Sequence, residues 1–287
     1  KKAVKLSPVF KDYLWGGTKL RTQFGKNCDW DKIAESWELS THPDRPCSVA
    51  SGNDAGMTFP DYIKKYNCIG KKAEAFDFFP ILIKFIDAKD SLSIQVHPSD
   101  EYALKNENSF GKTEMWYIID AQQDAYIYAG FKETLTVDEY TRKVKDGSII
   151  DSLAKHPVHT GDVFYIPAGR VHAIGKGVLL AEVQQSSDVT YRIYDYGRMG
   201  LDGKPRELHT DLAAQAIDFK VYPEYRNSYK DTIDTANTCL DTEHFTVRVV
   251  SIQEPMHRNM IKYDSFVIQT CTKGACKIRI RSTHDEI

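Results

Sequence analysis

From Ile81 to Tyr194 the chain is cut into short lengths. Runs rich in Ile, Val and Tyr at 81–86, 92–97, 115–119, 125–129, 163–166, 178–183 and 189–194 alternate with Gly, Asp and Pro. Residues branched at Cβ and aromatic residues suit a pleated, half-buried surface, and the intervening breakers suit turns. Many short strands joined by turns bury their apolar faces only by closing into a sandwich or a barrel. The pattern therefore predicts an all-β fold with a few short helices as additions.

Three segments carry helix signals. Thr136-Val137-Asp138-Glu139 is a capping box and opens a helix ending near Gly147. Leu212, Ala213, Ala216 and Ile217 give a one-sided face to a helix over 208–219, and a third helix is expected around 60–66. A polar stretch, 227–238, precedes new strand-like runs at 245–252, 265–271 and 279–281. This predicts a main unit over 1–235 and a smaller β unit over 236–287. Two or three strands cannot close a sandwich by themselves, so the smaller unit either packs on the first or is completed by chain beyond Ile287.

Composition narrows the partners. Of 287 residues, 38 Lys+Arg stand against 40 Asp+Glu, a net charge of −2, which lacks the basic excess of many nucleic-acid binders but leaves room for a local anion pocket. No apolar run approaches the roughly 20 residues of a membrane helix, and Lys1 and Lys2 do not lead into an apolar signal region. The six cysteines form no C-x-x-C pair and read as free thiols of a reducing compartment, so a cytoplasmic location is expected.

Three segments offer chemistry. In Gly161-Asp-Val-Phe-Tyr-Ile-Pro167-Ala-Gly169-Arg-Val-His172 a strand stops at a Pro-Ala-Gly turn, and the turn aims His172 at the start of the next strand. In Ser93-Ile94-Gln95-Val96-His97, alternation puts Gln95 and His97 on one face and Ile94 and Val96 on the other. Such a polar face lines a cavity or meets solvent. Glu114, entering the run at 115–119, adds a carboxylate, or is simply exposed. Two imidazoles, a carboxylate and an amide oxygen are donors that zinc accepts, although they are spread from residue 95 to residue 172 with no compact H-E-x-x-H motif.

The ordered motifs are similar to those of a known family. Gly161 to His172 fits the second cupin motif, G-x5-P-x-G-x2-H, while Gln95-Val96-His97 stands where many cupins carry His-x-His. Gln-Val-His-Pro at 95–98, Lys112-Thr-Glu114-Met-Trp-Tyr and Pro-Ala-Gly-x-x-His-Ala at 167–173 together resemble the type I mannose-6-phosphate isomerases. Trp15-Gly16-Gly17, Glu35-Ser36-Trp37 and 186–192 support the resemblance, which runs from about Val9 to Asp218. It implies a jelly-roll cupin β-sandwich with a second, smaller cupin-like unit, in the short bacterial form without a large helical insertion. It also implies one zinc ion per chain at Gln95, His97, Glu114 and His172, and interconversion of mannose 6-phosphate and fructose 6-phosphate. Lys112, Glu182 and Arg192 are implied as active-site residues, with Lys84, Ser93 and Asp188 near a small phosphosugar substrate.

The residues themselves leave several roles open. Glu182 lies on the apolar run 178–183, where burial would raise its pKa into the range of a useful base, or else it faces solvent. Lys112 is open to service as base, phosphate contact or surface charge. Arg192, flanked by bulky residues, needs an anionic partner: a phosphate, a developing enediolate or Asp195. His42, His156, His159, His209, His244, His257 and His284 show no ligand spacing, and Trp15-Gly-Gly and Glu35-Ser-Trp37 suit packing. Proton transfer or hydride shift, zinc or another divalent ion, and monomer or weak dimer are left undecided. So are two other classes: a cupin oxygenase using Fe(II), and a sugar-binding cupin module without turnover.

Overall fold

The structure, a computed structural model, describes residues 3–200, 202–281 and 285–287; His284 lies outside the described residues. Two antiparallel sheets form the framework of the fold. The larger has seven strands in the order Arg226–Asn227, Val163–Ile166, Glu114–Ala121, Val178–Gln185, Ile81–Ala88, Glu35–Leu39 and Val9–Lys11. The smaller has five, in the order Tyr191–Tyr194, Ile94–Val96, His172–Ile174, Tyr126–Phe131 and Leu153–Pro157.

Alternation along these strands decides what lies between the sheets. Trp116, Ile118, Phe164, Ile166, Val178 and Leu180 of the larger sheet meet Ile127, Ala129 and Ile174 of the smaller in one buried cluster. The result is a face-to-face sandwich. The expectation of an all-β fold with short helices holds.

Two helices cover the far side of the smaller sheet. Thr136 and Glu139 form the reciprocal capping box, the helix spans Val137–Asp146, and Gly147 ends it at φ 81°, a left-handed cap that Gly adopts without steric cost. Tyr140 from this helix and Ala213 from the helix Thr210–Ala216 pack with Ile94, Val96, Tyr191 and Ile193. That second helix is shorter than 208–219, because Ile217 turns extended and Leu208 remains exposed. The helix expected at 60–66 spans Phe59–Tyr66, capped by Thr58. No helix among the described residues is long and apolar enough to cross a membrane.

Beyond residue 235 the strands Asn237–Asp241 and Thr246–Val249 form a hairpin. Cys239 and Leu240 bury against Met115 and Val163, residues on the outer face of the larger sheet. The run 265–271 forms no strand. Phe266 and Ile268 instead pack into the cluster of Leu39, Phe59, Phe79 and Ile81, so side-chain burial rather than strand pairing uses their apolar character. Arg279–Ile280 pairs only with Asp285–Glu286.

Candidate metal centre

Strand register assembles the site in rows. Across five neighbouring strands of the larger sheet, Trp37 pairs with Lys84, Lys84 with Glu182, Glu182 with Trp116, and Trp116 with Phe164. Directly opposed residues project from the same face, so all five side chains point into the sandwich. Glu114 lies one inward position from Trp116 and pairs with Gln184 on one side and Ile166 on the other.

The smaller sheet supplies the facing row. Arg192 pairs with Gln95, Gln95 with His172, and His172 with Ala129. His172 enters this row because Arg170 N donates to Pro167 O across the Pro-Ala-Gly turn, with Gly169 at φ 86°. Gly169 N also donates to the carbonyl of His97, which fixes the turn beside that histidine. His97 follows the strand Ile94–Val96, whose Ile94 and Val96 side chains fill the opposite core, as alternation requires.

His97, Glu114 and His172 are each about 1% exposed, and their ligating atoms all lie within 4.8 Å of one another. His97 Nδ1 is 2.9 Å from Val189 O, and His172 Nδ1 is 2.8 Å from Arg170 O. A carbonyl only accepts, so each ring carries its proton on Nδ1 and presents the lone pair of Nε2 inward. His97 Nε2 stands 3.2 Å from Glu114 Oε1, and His172 Nε2 stands 3.7 Å from Glu114 Oε2. His97 Nε2 and both carboxylate oxygens of Glu114 are buried without a hydrogen-bond partner, and the cation beside them is Lys112 Nζ, an ion-pair contact 3.1 Å from Glu114 Oε1. Facing lone pairs out of reach of water are costly until a cation sits among them, so this donor set fits a metal ion. The carbonyl partners of both imidazoles orient the rings as supporting groups do in metal centres.

Electrostatics agree with that reading. Burial, reinforced by Lys112, pushes His97 down to about 3, so its imidazole is neutral and available as a ligand. His172 is lowered too, again mainly by burial. For Glu114 burial pushes upward, but the opposing charge of the Lys112 ammonium holds the carboxyl well below its ordinary range. Gln95 Nε2 lies 3.4 Å from His172 Nε2, while Gln95 Oε1, the atom expected to bind metal, accepts from Ser93 Oγ at 3.4 Å. All four residues expected at the metal thus meet at one place.

The other expected residues fall into three groups. Lys112 and Glu182 are buried, so the solvent-facing alternatives for both are set aside, as is an exposed Glu114. Lys112 Nζ is 3.1 Å from Glu114 Oε1; Glu182 receives Trp116 Nε1 at 3.0 Å and faces Lys84 Nζ at 3.4 Å. Burial and the charge of Glu114 raise the pKa of Glu182, against the opposing pull of Lys84 and Lys112. Arg192 donates from Nη1 to Glu207 O, and its Nε is buried without a partner. Asp195 is not its counter-ion, because Arg198 and Arg206 occupy that carboxylate. Asp188 sits apart, its side chain 82% exposed near His42.

One buried acid, Glu35, lies outside the expected set. Glu35 accepts from Trp37 Nε1 at 2.7 Å, and with Glu182 it outweighs the downward push of burial on Lys84, raising that lysine's pKa. The signal was present: Glu35 and Trp37 are two apart on a strand and therefore share a face. Trp15 and Gly16 serve packing, since a Cβ on Gly16 would fall 2.6 Å from Ala34 Cβ. None of the other histidines among the described residues joins a metal-ligating group.

A two-sheet β-sandwich holding a group that could hold a metal ion, His97, Glu114 and His172, between its sheets defines a cupin-type protein with a candidate metal centre. The chain belongs to the type I phosphomannose isomerases, a family of enzymes: residues 3–139 match the model described as phosphomannose isomerase type I, catalytic domain. It is 40% identical over 243 residues to mannose-6-phosphate isomerase ManA of Bacillus subtilis strain 168, covering 84% of this chain and 76% of that relative. It is 40% identical over 206 residues to the mannose-6-phosphate isomerase of Streptococcus mutans serotype c, covering 71% of this chain and 63% of the relative. The crystal structure of the mannose 6-phosphate isomerase from Bacillus subtilis superposes with a TM-score of 0.79 at 38% identity, covering 85% of this chain and 78% of that one.

Proposed function

We propose that this chain is a zinc-dependent aldose–ketose isomerase that interconverts mannose 6-phosphate and fructose 6-phosphate. The observation that carries the reading is the set of inward, unprotonated lone pairs on His97, His172 and Glu114, buried beside an orphaned Arg192 Nε. Family membership supplies the substrate class. When bound, zinc supplies a Lewis acid for the charge that develops on the sugar oxygens during isomerisation.

The chain's own residues then divide the work. Glu182, buried and with its pKa raised, is suited to take the proton from C2 of the open-chain aldose and return it to C1. Trp116 Nε1 and Lys84 Nζ fix its carboxylate from two sides, so no reorganisation is needed when the proton moves. Lys112 holds Glu114 ionised and adds positive charge near the reacting oxygens. Arg192 binds an anionic group of the substrate with the donors that the protein leaves unpaired. Ser93 steadies the Gln95 amide.

The test is a coupled assay of mannose 6-phosphate conversion on chelator-treated protein, before and after zinc is restored. Activity that disappears and returns supports the reading. Absence of turnover at full zinc occupancy overturns it and leaves a sugar-binding module.

A further inference from the structure

The strand that carries Arg192 ends in an unbalanced cluster of guanidinium groups. Asp195, only 6% exposed, accepts from Arg206 Nε at 2.7 Å and from Arg206 Nη2 at 2.6 Å, and also from Arg198 Nη2 at 2.5 Å. One carboxylate thus serves two arginines, and Arg192 three positions earlier has no carboxylate partner among the described residues. Glu207 does not restore balance, because its side chain is 84% exposed and lies against His209. Three guanidinium charges against one carboxylate leave a net excess of about two positive charges. Arg192 registers this excess: burial lowers its pKa, and Arg206 lowers it further.

The loop holding Arg206 is fastened beside Arg192. Arg192 N donates to His209 Nδ1 at 3.2 Å, His209 N donates back to Arg192 O at 2.7 Å, and Arg192 Nη1 caps Glu207 O at 2.8 Å. Between these ties the chain doubles back, with Met199 bridged to Pro205 and Gly200 N donating to Lys204 O. Arg206 is therefore preorganised. Its bidentate clasp on Asp195 uses two of five N–H donors and leaves the rest for another oxyanion.

Arg192 and His172 flank Gln95 on successive strands, which places their backbones two strand spacings apart, about 10 Å. A substrate with its reacting carbons at the imidazole end would carry its far terminus toward the arginines. We propose that Arg206 is a second phosphate-binding guanidinium beside Arg192, reading the phosphate dianion at the far end of the sugar, with Asp195 as its positioning residue. This rests on the phosphosugar reading above and extends it to residues of the 195–209 loop.

The experiment compares wild type with Arg206→Ala and Arg206→Lys in three measurements: turnover of mannose 6-phosphate, inhibition by inorganic phosphate, and zinc content. Loss of a charged hydrogen bond to phosphate predicts a KM about 10- to 100-fold higher for R206A. The inhibition constant of inorganic phosphate should rise in step, kcat should change by less than about threefold, zinc should be unchanged, and R206K should recover part of the loss. Unchanged KM and phosphate inhibition in R206A overturns the proposal while leaving the isomerase reading intact. If wild type turns over no mannose 6-phosphate, equilibrium binding of inorganic phosphate to both proteins still decides: weaker binding by R206A supports the subsite, and equal binding removes it. Arg206→Gln replaces the alanine variant if the latter does not fold.

Discussion

Glu114 Oε1 and His97 Nε2 face each other across 3.2 Å with no proton to share, because His97 spends its only N–H on Val189 O. Two lone pairs at that distance in a buried site suit a cation between them, since Lys112 Nζ, 3.1 Å from Oε1, offsets the carboxylate but leaves His97 Nε2 unmatched. His172→Ala should therefore lose metal and turnover together, with a loss exceeding the ~10–100-fold typical of removing a merely supporting group, while the circular dichroism of the sheets survives. Elemental analysis of the variant decides this, and full zinc content with normal activity would exclude His172 from the site.

Acidification makes a second check on the same atoms. An ordinary imidazole is largely protonated at about pH 5.5 and would release its metal. Burial holds His97 unprotonated down to about 3 and lowers His172 as well, so metal should be retained at pH 5.5 and released only in stronger acid. Metal content after dialysis across a pH series gives the midpoint.

Glu182 shifts in the opposite direction. Its raised pKa means that the base becomes protonated, and kcat/KM falls, at a pH above the ordinary glutamate value. Glu182→Gln should lower kcat about 10²–10⁴-fold with zinc retained. A pH–rate profile of Glu182→Gln that kept both its rate and its acid limb would assign the proton to another group.

Gly16 lies where the start of the chain presses on the larger sheet. A methyl group there would meet Ala34 Cβ at 2.6 Å and Ala34 Cα at 2.8 Å, both part of a packed wall. Gly16→Ala should cost about 1–3 kcal/mol in a urea melt, without change in metal affinity.

Leu240 tests whether the hairpin beyond residue 235 is integral to the main core. It is 8% exposed and packs with Cys239, Met115 and Val163. Leu240→Ala should destabilise the whole chain by about 2–4 kcal/mol in a single transition. A separate early transition would mark the hairpin as an independent unit.

Local pattern was enough for much of this architecture. The capping box at Thr136 and Glu139 formed as read, since its bonds join residues three apart and need no distant partner. Gln95 and His97 could be placed opposite Ile94 and Val96 because a strand's side chains alternate whatever surrounds it. The run 265–271 failed as a strand for the converse reason: a strand needs a neighbour with free backbone groups, and none pairs with it among the described residues.

The amino-acid sequence by itself determined which donors exist, His97, Glu114, His172 and Gln95, and that short strands would carry them. Tertiary structure decided the rest. Only the register of Lys84, Glu182 and Trp116 across three strands buries Glu182 and raises its pKa, and only the closure of two sheets brings the Glu114 oxygens against both imidazoles. It also gave Asp195 to Arg198 and Arg206 rather than to Arg192. Periodicity fixes the side of a strand on which a residue lies, but ion pairing and desolvation depend on distances of a few ångströms between residues far apart in the chain, and those are set by packing.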